Sequence, residues 1–232
     1  LDVGLGDEVI VADFTFPASA NAVLAVGATP VFADSGVDDM AVSPEAIEAA
    51  LTSRTAAIMP VDPFGQPADY ARIEKLAADF GVPVIADAAC SLGARRDGRA
   101  AGAHGTVGCF SFHPRKSITT GEGGMLTAAR KTLDVTFRSL RDIGSDRDHL
   151  SPERAAQQLL PDHSALGFNY RLTDLQAALG LTQLAKFDAI LDRRLDCARR
   201  YRELISGSSL AAWLRPPALP WGREHAYQAY VC

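Results

Sequence analysis

One lysine stands in a segment suited to covalent chemistry. Lys116 closes the run Ser111-Phe112-His113-Pro114-Arg115-Lys116 and is followed by Ser117-Ile118-Thr119-Thr120-Gly121-Glu122-Gly123-Gly124. Upstream, Val84-Ile85-Ala86-Asp87-Ala88-Ala89 sets an acid at the end of an apolar run. A lysine amine adds to an aldehyde to give a Schiff base, and a carboxylate that keeps a pyridine nitrogen protonated turns that ring into an electron sink. An acid at a strand end followed by a lysine on a glycine-rich turn is the pair that a pyridoxal-phosphate (PLP) site needs. The segment 121–124 lacks the Gly-Lys-Ser/Thr ending of a P-loop. It reads as a tight turn that lets backbone pass close to the lysine.

The elements that must position this pair alternate along the chain. Apolar runs at 8–12, 30–33, 56–61, 82–86, 107–112 and 125–127 read as strands. Helix signals fall between them. Pro17 and Gly27 bracket 18–26, Ser43-Pro44-Glu45 supplies a cap, a first-turn proline and a first-turn acid for 46–51, and Gly81 closes 70–80. Alternation of this kind predicts an α/β fold with a mostly parallel sheet covered on both faces, and ligands in such sheets bind beyond the carboxyl ends of the strands. Asp87 falls at one such end and Lys116 just past another. Further on, 130–141 reads as a helix and 144–167 as a long polar stretch with weak helical character in its middle. Loops of this length are usually functional or mobile. The run from Thr173 to about residue 205, with apolar Leu175, Leu179, Leu184, Phe187, Leu191 and Leu195, predicts one long amphipathic helix. Residues 225–232 read as the start of a strand.

The 232 residues are 47% hydrophobic and 22% charged, with a formal net charge of −5 and no long basic run. This argues against nucleic acid or an anionic membrane as the main partner. Cys90, Cys109, Cys197 and Cys232 are too scattered for a disulfide framework or a metal site, which fits a reducing, cytoplasmic setting. No apolar stretch has the length of a membrane span, about 18 residues or more. The chain enters a strand almost at once without a Met and stops in what reads as another, so it is expected to be an internal piece of a longer protein.

Taken together, the segments resemble the DegT/DnrJ/EryC1/StrS family of sugar aminotransferases. The residues that carry the resemblance are Gly6-Asp7-Glu8-Val9-Ile10-Val11, Phe14-Thr15-Phe16, Ala28-Thr29-Pro30-Val31-Phe32, Phe64-Gly65-Gln66-Pro67-Ala68-Asp69, Ala86-Asp87-Ala88-Ala89, the Lys116 segment, and Asn169-Tyr170-Arg171-Leu172-Thr173-Asp174 with Gln176-Ala177-Ala178. The resemblance implies the type I PLP-transferase fold. Residues 1–205 would form the large domain, a mostly parallel seven-stranded-type sheet sandwiched by helices and incomplete at its N-terminal side. Residues 206–232 would begin a small α+β C-terminal domain. Family members are longer at both ends, with a phosphate-binding loop expected before Leu1.

The resemblance also implies roles. Lys116 would be the Schiff-base lysine and proton carrier, and Asp87 the pyridinium partner. Phe16 would stack on the ring, with Phe14 as its competitor, while Ala88 lets the ring lie flat and Ser111 binds the phosphate. Asn169 and Arg171 would reach the cofactor phosphate of the partner subunit in a homodimer, and His113 would touch substrate. No metal is expected. The implied reaction moves an amino group, usually from glutamate, onto a nucleotide-linked keto-deoxysugar, as polysaccharide or antibiotic biosynthesis requires. Two departures stand out. Cys90 occupies a position where many members carry a glutamine that contacts the cofactor's phenolic oxygen, and Ile143 one where a histidine is usual. Two other readings are a sugar dehydratase of the same family and a non-catalytic PLP-binding sensor. Dehydratases replace the lysine with histidine, so Lys116 argues against the first.

Overall fold

The computed structural model describes residues 1–147, 150, 152–157, 160 and 162–232; the other residues of the long polar stretch at 144–167 lie outside the described residues. In chain order the elements are β1 (Glu8–Ala12), α1 (Ala18–Ala25), β2 (Thr29–Ala33), α2 (Pro44–Ala50), β3 (Thr55–Met59), α3 (Tyr70–Phe80) and β4 (Ile85–Asp87). Next come β5 (Arg95–Arg96), β6 (Arg99–Ala100), β7 (Val107–Ser111), β8 (Gly124–Ala128) and α4 (Lys131–Arg141). The chain continues with α5 (Pro152–Gln157), α6 (Asp174–Leu184), α7 (Phe187–Ser206) and β9 (Arg223–Glu224).

The main strands form two groups, β2-β1-β3 and β4-β7-β8. Parallel bridges Ile58↔Val84 and Val61↔Asp87 join them, with Asp87 N donating to Pro60 O at 2.9 Å and Asp62 N to Asp87 O at 3.0 Å. The resulting order is β2-β1-β3-β4-β7-β8, parallel except for β8, which runs antiparallel to β7. β1 is buried along its whole length because it is central and covered on both faces. Ile10 joins Ile47, Ile58, Tyr70 and Ile73 on the α2–α3 side. Val9 and Val11 join Val23 and Ala57 on the α1 side.

Local sequence explains the helices on the first side. Ser43 Oγ accepts from Ala46 N, and Pro44 occupies the first helical turn, where its missing N–H costs nothing. α3 buries Tyr70, Ile73 and Ala77 on one stripe, and Gly81 closes it in the left-handed conformation.

Two expectations are corrected and one pairing was not expected. The single long helix is two helices: Lys186 leaves helical geometry at φ −107°, ψ 2°. The break seats Phe187 and Leu191 against Gly93, where a Cβ would lie 2.7 Å from the Phe187 ring. Thr173 and Gln176 form a reciprocal cap at the start of α6. Secondly, residues 225–232 are not a strand, and the short strand is β9, just before them. Thirdly, β9 pairs with β5 of a hairpin, β5–β6, that the apolar pattern did not reveal. Its turn is Asp97-Gly98, both at positive φ, the primed geometry that matches strand twist.

Candidate active site

Asp87 ends β4 and begins the turn that carries Ala88, Cys90 and Ser91. β4 is held between β3 and β7, so this turn is fixed from both sides. Both carboxylate oxygens of Asp87 are engaged. Ser19 Oγ donates to Oδ2 at 2.8 Å and Ala89 N to Oδ1 at 3.2 Å. Thr15 Oγ1 lies 2.9 Å from Ser19 Oγ, so the Phe14-Thr15-Phe16 segment and the start of α1 are tied to the acid. Sequence reading did not single out Ser19. The signal was a hydroxyl in the first turn of a helix whose only other polar side chain is Asn21.

Lys116 arrives from the other direction, past the end of β7. Its backbone N donates to His113 O at 2.9 Å, which makes residues 113–116 a tight turn. Its Nζ lies 3.1 Å from Cys90 Sγ. Phe112 N donates to Gly123 O and Thr120 N to Phe112 O, so the glycine-rich segment folds back onto the lysine turn. Lys116 is thereby brought to the turn that follows Asp87, in which Ala88 is fully buried.

The remaining predicted residues divide into two groups. Phe14 packs on Phe64 with ring centroids 5.9 Å apart, whereas Phe16 is 71% exposed and leaves its ring open. Ser111 ends β7, and its Oγ accepts from His113 N at 3.3 Å. His113 accepts from Arg115 N through Nδ1 and lies 4.0 Å from Glu122. Asn169 and Arg171 are elsewhere: Asn169 bridges to Asp142 along the backbone and Arg171 ion-pairs with the Asp142 carboxylate. Neither contacts Lys116 or Asp87 of the same chain among the described residues.

Behind the site lies a carboxylate that the sequence did not announce. Asp62 is fully buried and accepts from Ala68 N at 2.9 Å, Tyr70 OH at 2.9 Å and Ser91 Oγ at 2.6 Å. Burial, together with the charge of Asp87, pushes its carboxyl up to about 6 despite those bonds. Cys109, paired with Asp87 across β4–β7, has its thiol pushed up to about 12 by burial and by the Asp87 charge. Gly65 lets a second segment close in: a Cβ there would lie 3.0 Å from Gln228 N and 3.2 Å from Cys90 O. Ala226 N donates to Gly65 O, and Gln228 Nε2 donates to Arg115 O, next to the lysine. A cavity of about 430 Å³ lies between α7 and residues 227–230 and shares Gln228 with this cluster. Its lining includes neither Lys116 nor Asp87. The reactive side chains, not the volume, mark the site.

The DegT/DnrJ/EryC1/StrS aminotransferase family profile matches residues 1–231. The chain belongs to that family. A DegT/DnrJ/EryC1/StrS aminotransferase from Brucella abortus is 36% identical, superposes with a TM-score of 0.87, and is matched over 98% of this chain and 59% of its own. DesV of S. venezuelae, solved with a ketimine intermediate, is 35% identical at TM-score 0.85 over 98% of this chain and 58% of its own. The PLP form of Spr1654 from Streptococcus pneumoniae, a putative sugar aminotransferase by name, is 30% identical at TM-score 0.84 over 98% and 60%. The chain thus spans about three-fifths of the length of these solved relatives. The DegT/DnrJ/EryC1/StrS family is PLP-dependent, and the residues brought together here fit that cofactor. They supply an amine, a carboxylate with a second acceptor position on each oxygen, a hydroxyl with a proton to give, and an open aromatic face. No helix among the described residues is long and apolar enough to cross a membrane.

Proposed function

We propose that this chain carries the large-domain half of a PLP-dependent aminotransferase that moves an amino group from an amino acid, glutamate foremost, to a nucleotide-linked keto-deoxysugar. The observation that carries the reading is the convergence of the Lys116 turn on the turn after Asp87, with Nζ 3.1 Å from Cys90 Sγ. The cofactor, when bound, supplies the electron sink that makes the substrate C–H acidic. Everything else is the work of side chains. Lys116 Nζ holds the cofactor and then carries protons to and from the substrate carbon. Asp87, oriented by Ser19 and Ala89 N, keeps a proton at the pyridine nitrogen. Phe16, whose ring is open, would stack on one face of the ring, and Ala88, with its small side chain, would let the other face approach the backbone. Ser111 gives its hydroxyl proton to the phosphate. His113 meets the sugar substrate.

The same reading takes residues 1–205 as the large domain, 206–232 as the beginning of the small one, and the protein as cytoplasmic. It assigns Asn169 and Arg171 to the phosphate of a partner subunit in a homodimer. Their bonding to Asp142 rather than to this chain's own Lys116 or Asp87 supports that assignment, as does the exposed Phe168–Tyr170 stack beside them. Helix α6 supports it too, since it buries none of its residues and leaves Leu175 85% exposed.

The test is a visible spectrum of the full-length protein with PLP, before and after glutamate. A cofactor band that glutamate bleaches, and that Lys116→Ala lacks, is expected. Asp87→Asn keeps some binding and loses most of the rate. A band that glutamate and other amino donors leave untouched would favour a PLP-binding sensor. A Lys116→Ala variant that transaminates at the normal rate would sink the role of Lys116.

A further inference from the structure

The Cys90–Lys116 pair is a second reactive feature of the same site, and nothing in transamination requires the thiol. Sγ and Nζ stand 3.1 Å apart, both groups are half-buried and so open to a small solute, and the lysine stem is flexible enough to close the gap. The cysteine sits in a turn braced by Ser91 Oγ, which donates to Asp62, and by the close packing of its carbonyl against Gly65. The thiol is therefore presented to the amine by a rigid support rather than by a mobile loop.

We propose that Cys90 and Lys116 form a reversible sulfur–nitrogen cross-link when the protein meets a peroxide, which locks the lysine that the transamination reading needs free. In the first step the thiol attacks the peroxide. The O–O bond breaks, Cys90 becomes the sulfenic acid, and one oxygen leaves as water. In the second step the neutral Lys116 amine attacks the sulfur. The S–N bond forms, the S–OH bond breaks, and the hydroxide leaves as water with the proton lost by nitrogen. Sulfur is oxidised by two electrons and the peroxide is reduced by two. A thiol reductant reverses the lock: its sulfur attacks Cys90 and frees the amine, and a second thiol releases Cys90 as a disulfide forms.

The other cysteines lack this arrangement. Cys109 is held as an unreactive thiol by burial beside Asp87. Neither Cys109, Cys197 nor Cys232 has a lysine amine within hydrogen-bond reach among the described residues.

The proposal deepens the Lys116 site but is read by mass, so it fails or stands separately from the spectral test above. The full-length protein without added cofactor is treated with hydrogen peroxide, digested and analysed by peptide mass spectrometry. The expected result is a joined pair of peptides carrying Cys90 and Lys116, lighter than their sum by two hydrogens and separated again by dithiothreitol. Cys90→Ser abolishes the pair, Cys109→Ala keeps it, and Lys116→Arg leaves Cys90 on the sulfenic-to-sulfonic ladder. Loading with PLP before peroxide suppresses the pair, because a nitrogen bound to the cofactor no longer attacks sulfur. Peptides that stay separate in the wild-type protein while Cys90 is oxidised would overturn the proposal. So would a joined pair that survives in Cys90→Ser.

Discussion

The two sides of the sheet are built as different kinds of surface. On the β1–β3 side every residue of β1 is buried, and α2 and α3 close over it with Ile47, Tyr70 and Ile73. On the β8–α6 side no residue of β8 or α6 is buried, and α4 buries only Ser139. Yet that second side is not polar: Met125, Leu126, Phe168, Leu175 and Leu181 all stand open to solvent. The first side is stabilised from within, whereas the second carries apolar faces that find no cover among the described residues. Lys116 lies where the two meet, tied through Cys90 to the buried side and through Thr120 and Glu122 to the exposed one.

The sharpest break of this contrast is a pair of truncations. Ile58→Ala removes a fully buried side chain from the first side and is expected to cost about 3–4 kcal/mol. Leu181→Ala, on the exposed face of α6, is expected to cost below about 0.5 kcal/mol in the isolated chain. Denaturant midpoints measure both. A Leu181→Ala cost that approaches that of Ile58→Ala and grows with protein concentration would mean that a second copy covers α6.

A second probe is the response to acid. The Asp62 carboxyl is raised by burial from its ordinary 3.8 to about 6. Folding therefore favours its protonated form, and its contribution to stability is present below the unfolded pKa and is lost as pH rises through about 6. His225 is the reverse: burial lowers it from 6.5 to about 4, so its contribution is present above the unfolded value and is lost as pH falls towards 4. A shift of this size corresponds to about 3 kcal/mol at most for each group, and in the shared window the two slopes oppose. Asp62→Asn should therefore make unfolding midpoints climb with pH between about 5 and 6.5, where His225 acts unopposed and His104, also lowered by burial, acts in the same direction. Glu8, Glu45 and Glu74, held below their usual values, act at lower pH. Asparagine can keep the Ala68 and Tyr70 bonds through its carbonyl while Ser91 turns to accept. If the midpoint profile of Asp62→Asn matches that of the wild-type protein, the buried carboxyl is not raised.

What was legible in the sequence follows the same division. The first side was readable because its helices carry their own caps, as Ser43 and Gly81 do, and because strands covered on both faces are continuous apolar runs. The pair at the heart of the site was readable because Asp87 and Lys116 each end or follow such a run. Asp62 was not, since only the fold reveals that an acid between Val61 and Pro63 is buried among three donors. The β5–β6 hairpin was missed because its Asp97-Gly98 turn is flanked by arginines rather than alternating apolar residues. The break at Lys186 was invisible because the apolar spacing runs straight through it, and docking of Phe187 on Gly93 decides the path.

The last expected effect lies on the exposed side and has the opposite sign. Ile143 holds φ at +60°, a left-handed conformation that a β-branched residue adopts only under strain. The backbone is kept there from both directions: Ile143 N donates to Phe168 O at 3.0 Å, and Ile143 O lies 3.0 Å from His163 Nδ1. The side chain gains little in return, because it is 47% exposed. Asparagine tolerates this conformation far better, so Ile143→Asn should raise stability by about 1 kcal/mol in the isolated chain. That would be a gain from removing an apolar side chain, where the same change in the first side is a large loss. Thermal midpoints of the two proteins decide it. A loss of stability on Ile143→Asn would mean that the isoleucine is covered in solution, and the contrast between the two sides would then belong to the single chain and not to the protein as it assembles.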